Sequence, residues 1–150
     1  LRTASSTLKQ NLKTYLSEYR MINDSIKIKD AYIINITCEF DIIVLPNFNN
    51  NDVILRCINT LTTYFDIENW NINQPILLKD LSILLDKVEG VQNVTNVLIK
   101  NIAGASKGYS DYSYDLNFAT NKGIIYPSVD PMVFELKYPQ SDIIGRVVPL

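Results

Sequence analysis

The chain has 150 residues, of which 47% are hydrophobic and 20% charged, with a net charge of −2 and a pI near 5.1. That length suits one domain able to bury about 68–70% of its unfolded surface without help from a disulfide or a metal. The acidic balance and the lack of any Lys/Arg cluster speak against nucleic acid or an anionic membrane as partner, and no apolar run approaches the roughly 20 residues of a membrane span.

Residues 5–20 read as an amphipathic helix, with Leu8, Leu12, Tyr15, Leu16 and Tyr19 at helical spacing and Ser5 or Ser6 as N-cap. It is expected to end near Met21-Ile22-Asn23-Asp24. Ile26 and Ile28 alternate with Ser25, Lys27 and Lys29, which predicts a short strand.

The longest unbroken pattern in the chain lies at residues 31–45. Ile34, Ile36, Cys38, Phe40, Ile42 and Val44 take every second position, with Asn35, Thr37, Glu39 and Asp41 between them. This is a strand with one dry face and one wet face, and its apolar row requires a cover of similar length.

Pro46 and the Asn-rich stretch 47–51 end that strand. Asn51 then predicts an N-cap, and Ile54, Cys57, Ile58, Leu61, Tyr64 and Phe65 form one apolar helical face. A loop follows through Trp70 to Pro75. A second helix is predicted over 78–89, with Leu78, Leu81, Leu84, Leu85 and Val88 inward and Gly90 closing it in the left-handed region. Val91, Val94, Val97, Ile99 and Ile102 predict a strand that returns beside the long one.

Beyond Gly104 the composition turns to tyrosine and turn formers. Tyr112, Tyr114, Leu116 and Phe118 alternate with polar residues and predict the first arm of a hairpin, with 119–122 as turn and Gly123–Tyr126 as second arm. Pro127 and Pro131 bracket a loop, Met132, Phe134 and Leu136 alternate again, and the apolar tail from Asp142 to Val148 should dock on the rest.

The fold class read from these patterns is α+β. A strand-helix-helix-strand core over 31–103 forms a small mixed sheet with both helices on one face. A helix and short strand over 1–30 precede it, and a tyrosine-rich hairpin and tail over 104–150 follow.

Little in the sequence carries chemistry. The absence of histidine removes His-based triads, Cys-His dyads and imidazole metal sites. Cys38 and Cys57 fit as buried apolar residues on separate elements, so neither a disulfide nor a thiolate metal site is expected. Residues 104–108, GASKG, place Lys107 before Gly108 and so lack the spacing of a phosphate-binding loop. Asp86 and Glu89 sit beside Lys79 and Lys87 on a polar helix side, which reads as a solvated face rather than a catalytic carboxylate pair. Asn-x-Ser/Thr triplets at Asn23, Asn35 and Asn93 fit the Asn-rich composition and are taken as chance. No cofactor, metal or small-molecule substrate is expected.

Tyrosines are the more useful signal, because this side chain buries area while keeping a polar end, as protein interfaces favour. Tyr109, Tyr112, Tyr114, Tyr126 and the adjacent Pro127 are the candidate interface, with Tyr138 beside them. Asp111 and Asp115, flanking tyrosines, offer sugar binding as a second use of the same region.

Three stretches carry a family resemblance: LKTYLSEYRMINDSIKIKDAYIINITCEFDIIVLP, FDIENWNINQPILLKDLSILLDKVEGVQNV and GYSDYSYDLNFATNKGIIYPSVDPMVFELKYPQSDIIGRVV. They resemble the C-terminal part of the baseplate wedge protein, the gene-six product type, of T-even-like contractile-tailed bacteriophages. The most specific words are Asp66-Ile67-Glu68-Asn69-Trp70 and Gly123-Ile124-Ile125-Tyr126-Pro127-Ser128. More distantly, the strand-helix-helix-strand unit resembles baseplate-J-type proteins. The resemblance implies a non-enzymatic virion structural subunit, assembled in the host cytoplasm into the tail baseplate, that pairs with itself and with other wedge subunits and helps close an inner ring. It also implies that the chain is a piece of a longer protein. Host-surface or glycan binding by a tail module is the alternative.

Overall fold

A computed structural model of the chain describes residues 1–21 and 25–150. The expected helix end near 21–24 and the Asn23 triplet therefore fall largely outside the described residues. At the centre stands β1, Tyr32–Val44, which covers almost the whole of its expected range. Ile34, Ile36, Cys38, Phe40 and Ile42 are buried on its dry side. On one edge β1 pairs antiparallel with β3, Val91–Asn101, with register shifts between Asp41 and Ile42 and between Ile43 and Val44.

The other edge of β1 is shared by two short parallel strands. β6, Met132–Glu135, lies along Tyr32–Asn35, and β7, Ile143–Val147, lies along Cys38–Ile42. Between them the helical turn α5, Pro139–Asp142, steps the chain past the gap. The result is a mixed four-stranded sheet with β1 in the middle. Every residue of β6 is buried, including Val133 and Glu135, because a parallel strand beside the central one is covered on both faces.

The helices between β1 and β3 supply the cover. α2, Asn50–Tyr64, buries Val53, Cys57 and Leu61 at four-residue intervals, with Phe65 following. Ile54, Ile58 and Tyr64 flank that stripe half-buried. Its cap is Asn49 rather than Asn51: the Asn49 Oδ1 accepts from the backbone N–H of Asn51 at 2.9 Å and of Asp52 at 3.3 Å. Among consecutive asparagines, the one whose extended backbone meets the incoming turn takes the role.

α3, Leu78–Asp86, buries Leu81 and Leu85 and stops before the expected residue 89. Gly90 is left-handed as expected, but in the turn into β3 rather than directly after the helix. There a side chain would strike Val53 and Phe48, and the Gly90 carbonyl accepts from the Leu45 N–H at 2.9 Å. The α+β class, with helices packed on one mixed sheet, is thus the observed architecture.

Trp70 was expected in a loop and proves to be core. It follows a short 3-10 turn, Ile67–Asn69, and packs at 5.6 Å from Tyr64 and 5.5 Å from Phe65, ring centre to ring centre. Asn73, at a positive φ of 60°, exchanges hydrogen bonds with Met132 and so ties this loop to the start of β6.

Two elements depart from expectation. Residues 25–31 form no strand. Tyr112–Tyr114 is not a strand either. The hairpin that does form is minimal: β4, Thr120–Asn121, pairs with β5, Ile124–Ile125, and β5 pairs in turn with β2, Ile76–Leu77. Lys122 and Gly123 both have positive φ, the requirement of a two-residue turn whose twist matches that of its strands. The helical turn α4, Leu116–Ala119, replaces the expected first arm. Leu116 and Phe118 therefore point apart; one is buried and the other 91% exposed.

Finally α1, Ser6–Ser17, forms where its pattern predicts and is capped by the Ser5 Oγ, which accepts from the Leu8 N–H at 3.1 Å. None of its residues is buried.

Candidate functional site

The tyrosine-rich segment is held in place by two asparagines of the sheet. Asn35, read from its alternation as a wet-face residue, is in fact 1% exposed. Its Nδ2 donates to Glu135 Oε1 at 2.8 Å, and its Oδ1 accepts from the Ser110 N–H at 2.7 Å. Its own carbonyl accepts from the Ile102 N–H and from Asn101 Nδ2, both at 2.9 Å. Asn101 then accepts from the Tyr114 N–H at 3.2 Å. The loop from Gly104 to Tyr114 is so fastened at its middle and its end. The Leu1 amino group also lies against Glu135.

The loop closes on itself as well. Gly104 N–H donates to the Ser110 carbonyl at 3.0 Å, and Ala105 N–H donates to Asp111 Oδ1 at 2.8 Å. Gly108 is left-handed, and a side chain there would meet the Tyr138 hydroxyl. Its carbonyl instead accepts from Lys137 Nζ. Residues 104–108 form a turn packed on Tyr138, with its lysine, Lys107, exposed.

The five candidate residues divide into two kinds. Tyr109 and Tyr114 are tied into the fold. The Tyr109 hydroxyl donates to the buried Asp142 at 2.7 Å, and its ring meets Tyr138 edge-on at 5.4 Å. That carboxylate, with burial, pushes the Tyr109 phenol up to about 12. The Tyr114 hydroxyl donates to the Tyr126 carbonyl at 2.7 Å, and its ring leans on Phe134; burial raises its phenol too.

Tyr112 and Tyr126, by contrast, are exposed, with Pro127 half-buried beside the latter. Tyr112 stacks edge-on with Tyr32 at 4.7 Å. Together with Ser110, Glu135, Lys137 and Tyr109, these two rings line an open cleft of about 590 Å³. Sequence reading missed Tyr32, Phe118 and Val129 as surface aromatic or apolar residues. Only the proline bracket around Val129 hinted at an exposed tip; Phe118 was concealed by an alternation that a helical turn undoes.

The two thiols are buried, and burial raises Cys38 to about 12 and Cys57 to about 11, which keeps both protonated and poorly nucleophilic near neutral pH. Asp111 and Asp115, the basis of the sugar reading, each have an oxygen committed to a backbone N–H, of Ala105 and Phe118 respectively. Among the described residues no group of three or more Cys, Asp or Glu is placed to hold a metal ion, and no helix is long and apolar enough to cross a membrane. No protein-family model and no curated protein sequence matches the chain.

Proposed function

We propose that the chain is a structural, non-enzymatic subunit of a contractile-tail baseplate wedge, which forms part of the inner baseplate ring by pairing with itself and with other wedge subunits. The reading begins from the sequence resemblance described above. The observation that carries it is the exposure of Tyr112, Tyr126, Phe118 and Val129, with Asn35, Asn101 and Asp115 holding the backbone N–H groups of Ser110, Tyr114 and Phe118. Rigid, partly exposed aromatic groups lose little entropy on docking, which suits a permanent interface.

A glycan-binding tail module is the alternative, favoured only by the Tyr32–Tyr112 pair that lines the cleft. The two readings separate in one experiment. Wedge assembly is followed with Tyr112→Ser/Tyr126→Ser protein, in parallel with glycan-array binding by the unaltered chain. Loss of assembly without glycan binding supports the scaffold; unchanged assembly, or saturable glycan binding abolished by Tyr112→Ser, refutes it.

A further inference from the structure

Trp70 is 8% exposed, and its indole Nε1 is the one buried side-chain nitrogen or oxygen that meets no hydrogen-bond partner among the described residues. Tyr64 and Phe65 pack against the ring, so the core fixes its position without supplying an acceptor. An indole N–H only donates, and a donor buried without an acceptor works against folding.

The same residue lines a pocket of about 230 Å³. Ile33 and Val133, neighbours across the β1–β6 pair, form one part of its wall, and Ile67 and Ile72 form another. Ile72 is 61% exposed, an apolar side chain left at the pocket rather than packed in the core. Residues 1–3 and 30–31 complete the lining, and two of them carry charged side chains. Asp30 is engaged on both oxygens: Oδ2 accepts from Lys9 Nζ at 2.7 Å and Oδ1 from the Ala4 N–H at 3.0 Å, contacts that hold its carboxyl below the usual range. Arg2 is exposed and makes no hydrogen bond or ion pair with a described residue. The pocket therefore joins an apolar wall to an indole N–H and a guanidinium, and its one carboxylate is already satisfied.

We infer that this pocket is a binding site for a small aliphatic carboxylate, whose hydrocarbon part lies against Ile33, Val133, Ile67 and Ile72 and whose oxygens accept from the Trp70 indole and the Arg2 guanidinium. The donor set decides the chemistry. A hydrocarbon alone would leave the indole N–H unmet, and an amine would bring donors to donors. A carboxylate supplies acceptors and meets the guanidinium with opposite charge, in the planar geometry that Arg favours. At roughly 30 Å³ per water-sized group, the volume holds about seven or eight non-hydrogen atoms, the size of a five- or six-carbon acid. The inference does not rest on the baseplate reading, and neither stands or falls with the other.

The test is a titration of the whole chain with 4-methylpentanoate up to about 20 mM, followed by nuclear magnetic resonance, since a ligand this small binds at about 1 mM. Trp70 is the only tryptophan, so a single indole N–H resonance reports its acceptor directly. That resonance should move downfield, and the methyl groups of Ile67, Ile72 and Val133 should shift along the same saturating curve while those of Ile36 and Ile42 stay in place. The neutral 4-methylpentanamide should bind about three- to tenfold more weakly. Arg2→Gln, a change at an exposed side chain, should lower carboxylate affinity to that of the amide and leave amide binding as it was. Trp70→Phe should weaken both ligands about fivefold, with the Ile36 and Ile42 methyl positions reporting that its core is intact. Absence of indole and methyl shifts to 20 mM, the result of an N–H met by water alone, overturns the inference. So does equal affinity for carboxylate and amide, or an Arg2→Gln chain that binds the carboxylate like the parent.

Discussion

Gly145 in β7 is where the C-terminal strand, the central strand and α2 come closest. A methyl group built on its backbone would lie 2.4 Å from Phe40 Cζ, 2.7 Å from Phe40 Cε2 and 3.1 Å from Ile54 Cγ2. Phe40 is fully buried and Ile54 stands behind it, so the ring has no solvent to swing into. Overpacking of this kind costs about 1–3 kcal/mol. Alanine also narrows the unfolded ensemble, which returns about 0.4–1 kcal/mol. Gly145→Ala should therefore lose about 1–2 kcal/mol, or a fall in Tm of roughly 2–8 °C for a chain this size. Urea titration read by Trp70 fluorescence and by far-ultraviolet circular dichroism measures it. In a double-mutant cycle with Phe40→Leu the two costs should fall short of additive by about 1 kcal/mol, because the smaller side chain vacates the methyl's place. Gly123→Ala separates packing from backbone: no atom lies within 4 Å of its added carbon, so only the left-handed φ of 78° should be felt, at about 1 kcal/mol. Gly145→Ala protein as stable as the parent, or strictly additive with Phe40→Leu, would refute the parallel docking of β7 against Phe40.

Three further outcomes follow from named groups. Asn35→Ala removes donors and acceptors from Glu135 and Ser110 together and should cost about 2–4 kcal/mol, read by the same titration. Tyr109→Phe deprives the buried Asp142 of a donor and should cost about 1–2 kcal/mol near neutral pH. Because the folded phenol titrates near 12, above its ordinary value of 10, the advantage of the parent is whole below pH 10 and shrinks as pH rises through 12; a difference that stays constant to pH 12 would contradict the Tyr109–Asp142 bond. Cys38 and Cys57 should resist a thiol reagent in native protein at pH 8 and both react on unfolding, with rapid native labelling of either thiol the contrary result.

What the sequence revealed tracks the side-chain period. The 31–45 alternation, the stripe around Cys57 and Leu61 and the β-branched run 91–101 all survive in the structure, because each has one buried and one wet side and so writes its geometry into the pattern. β6 and β7 were legible only as apolar alternation and an apolar tail. Strands of four and five residues beside a central strand carry no signal of which edge they take or in which direction. At the candidate site, tyrosine content marked out a region without sorting its members into exposed and tied side chains. Tyr109 and Tyr114 differ from Tyr112 only through Asp142 and the Tyr126 carbonyl, partners 33 and 12 residues away.

Asn35 shows why a wet-face residue can matter more to the placement of the 104–114 loop than the dry row opposite. The outward positions of β1 change role along its length. Glu39 and Asp41, toward one end, form solvent-facing ion pairs with Lys100 at 3.2 Å and Arg146 at 2.9 Å, contacts worth at most about 1 kcal/mol each. Asn35, toward the other end, is covered by the 104–114 loop and by Glu135, so its amide has no water to fall back on. A buried amide satisfied on both sides fixes position more than it adds stability, since any shift of the loop leaves polar atoms unpaired. The aromatic surface is therefore registered to the sheet by an amide that lies outside the apolar core. Asn35→Ala should accordingly disturb the environment of Tyr112 while leaving the packing of Phe40 and Trp70 intact. Amide exchange that quickens across residues 104–114 but not across 36–42 would distinguish that division of labour from a general loosening of the domain.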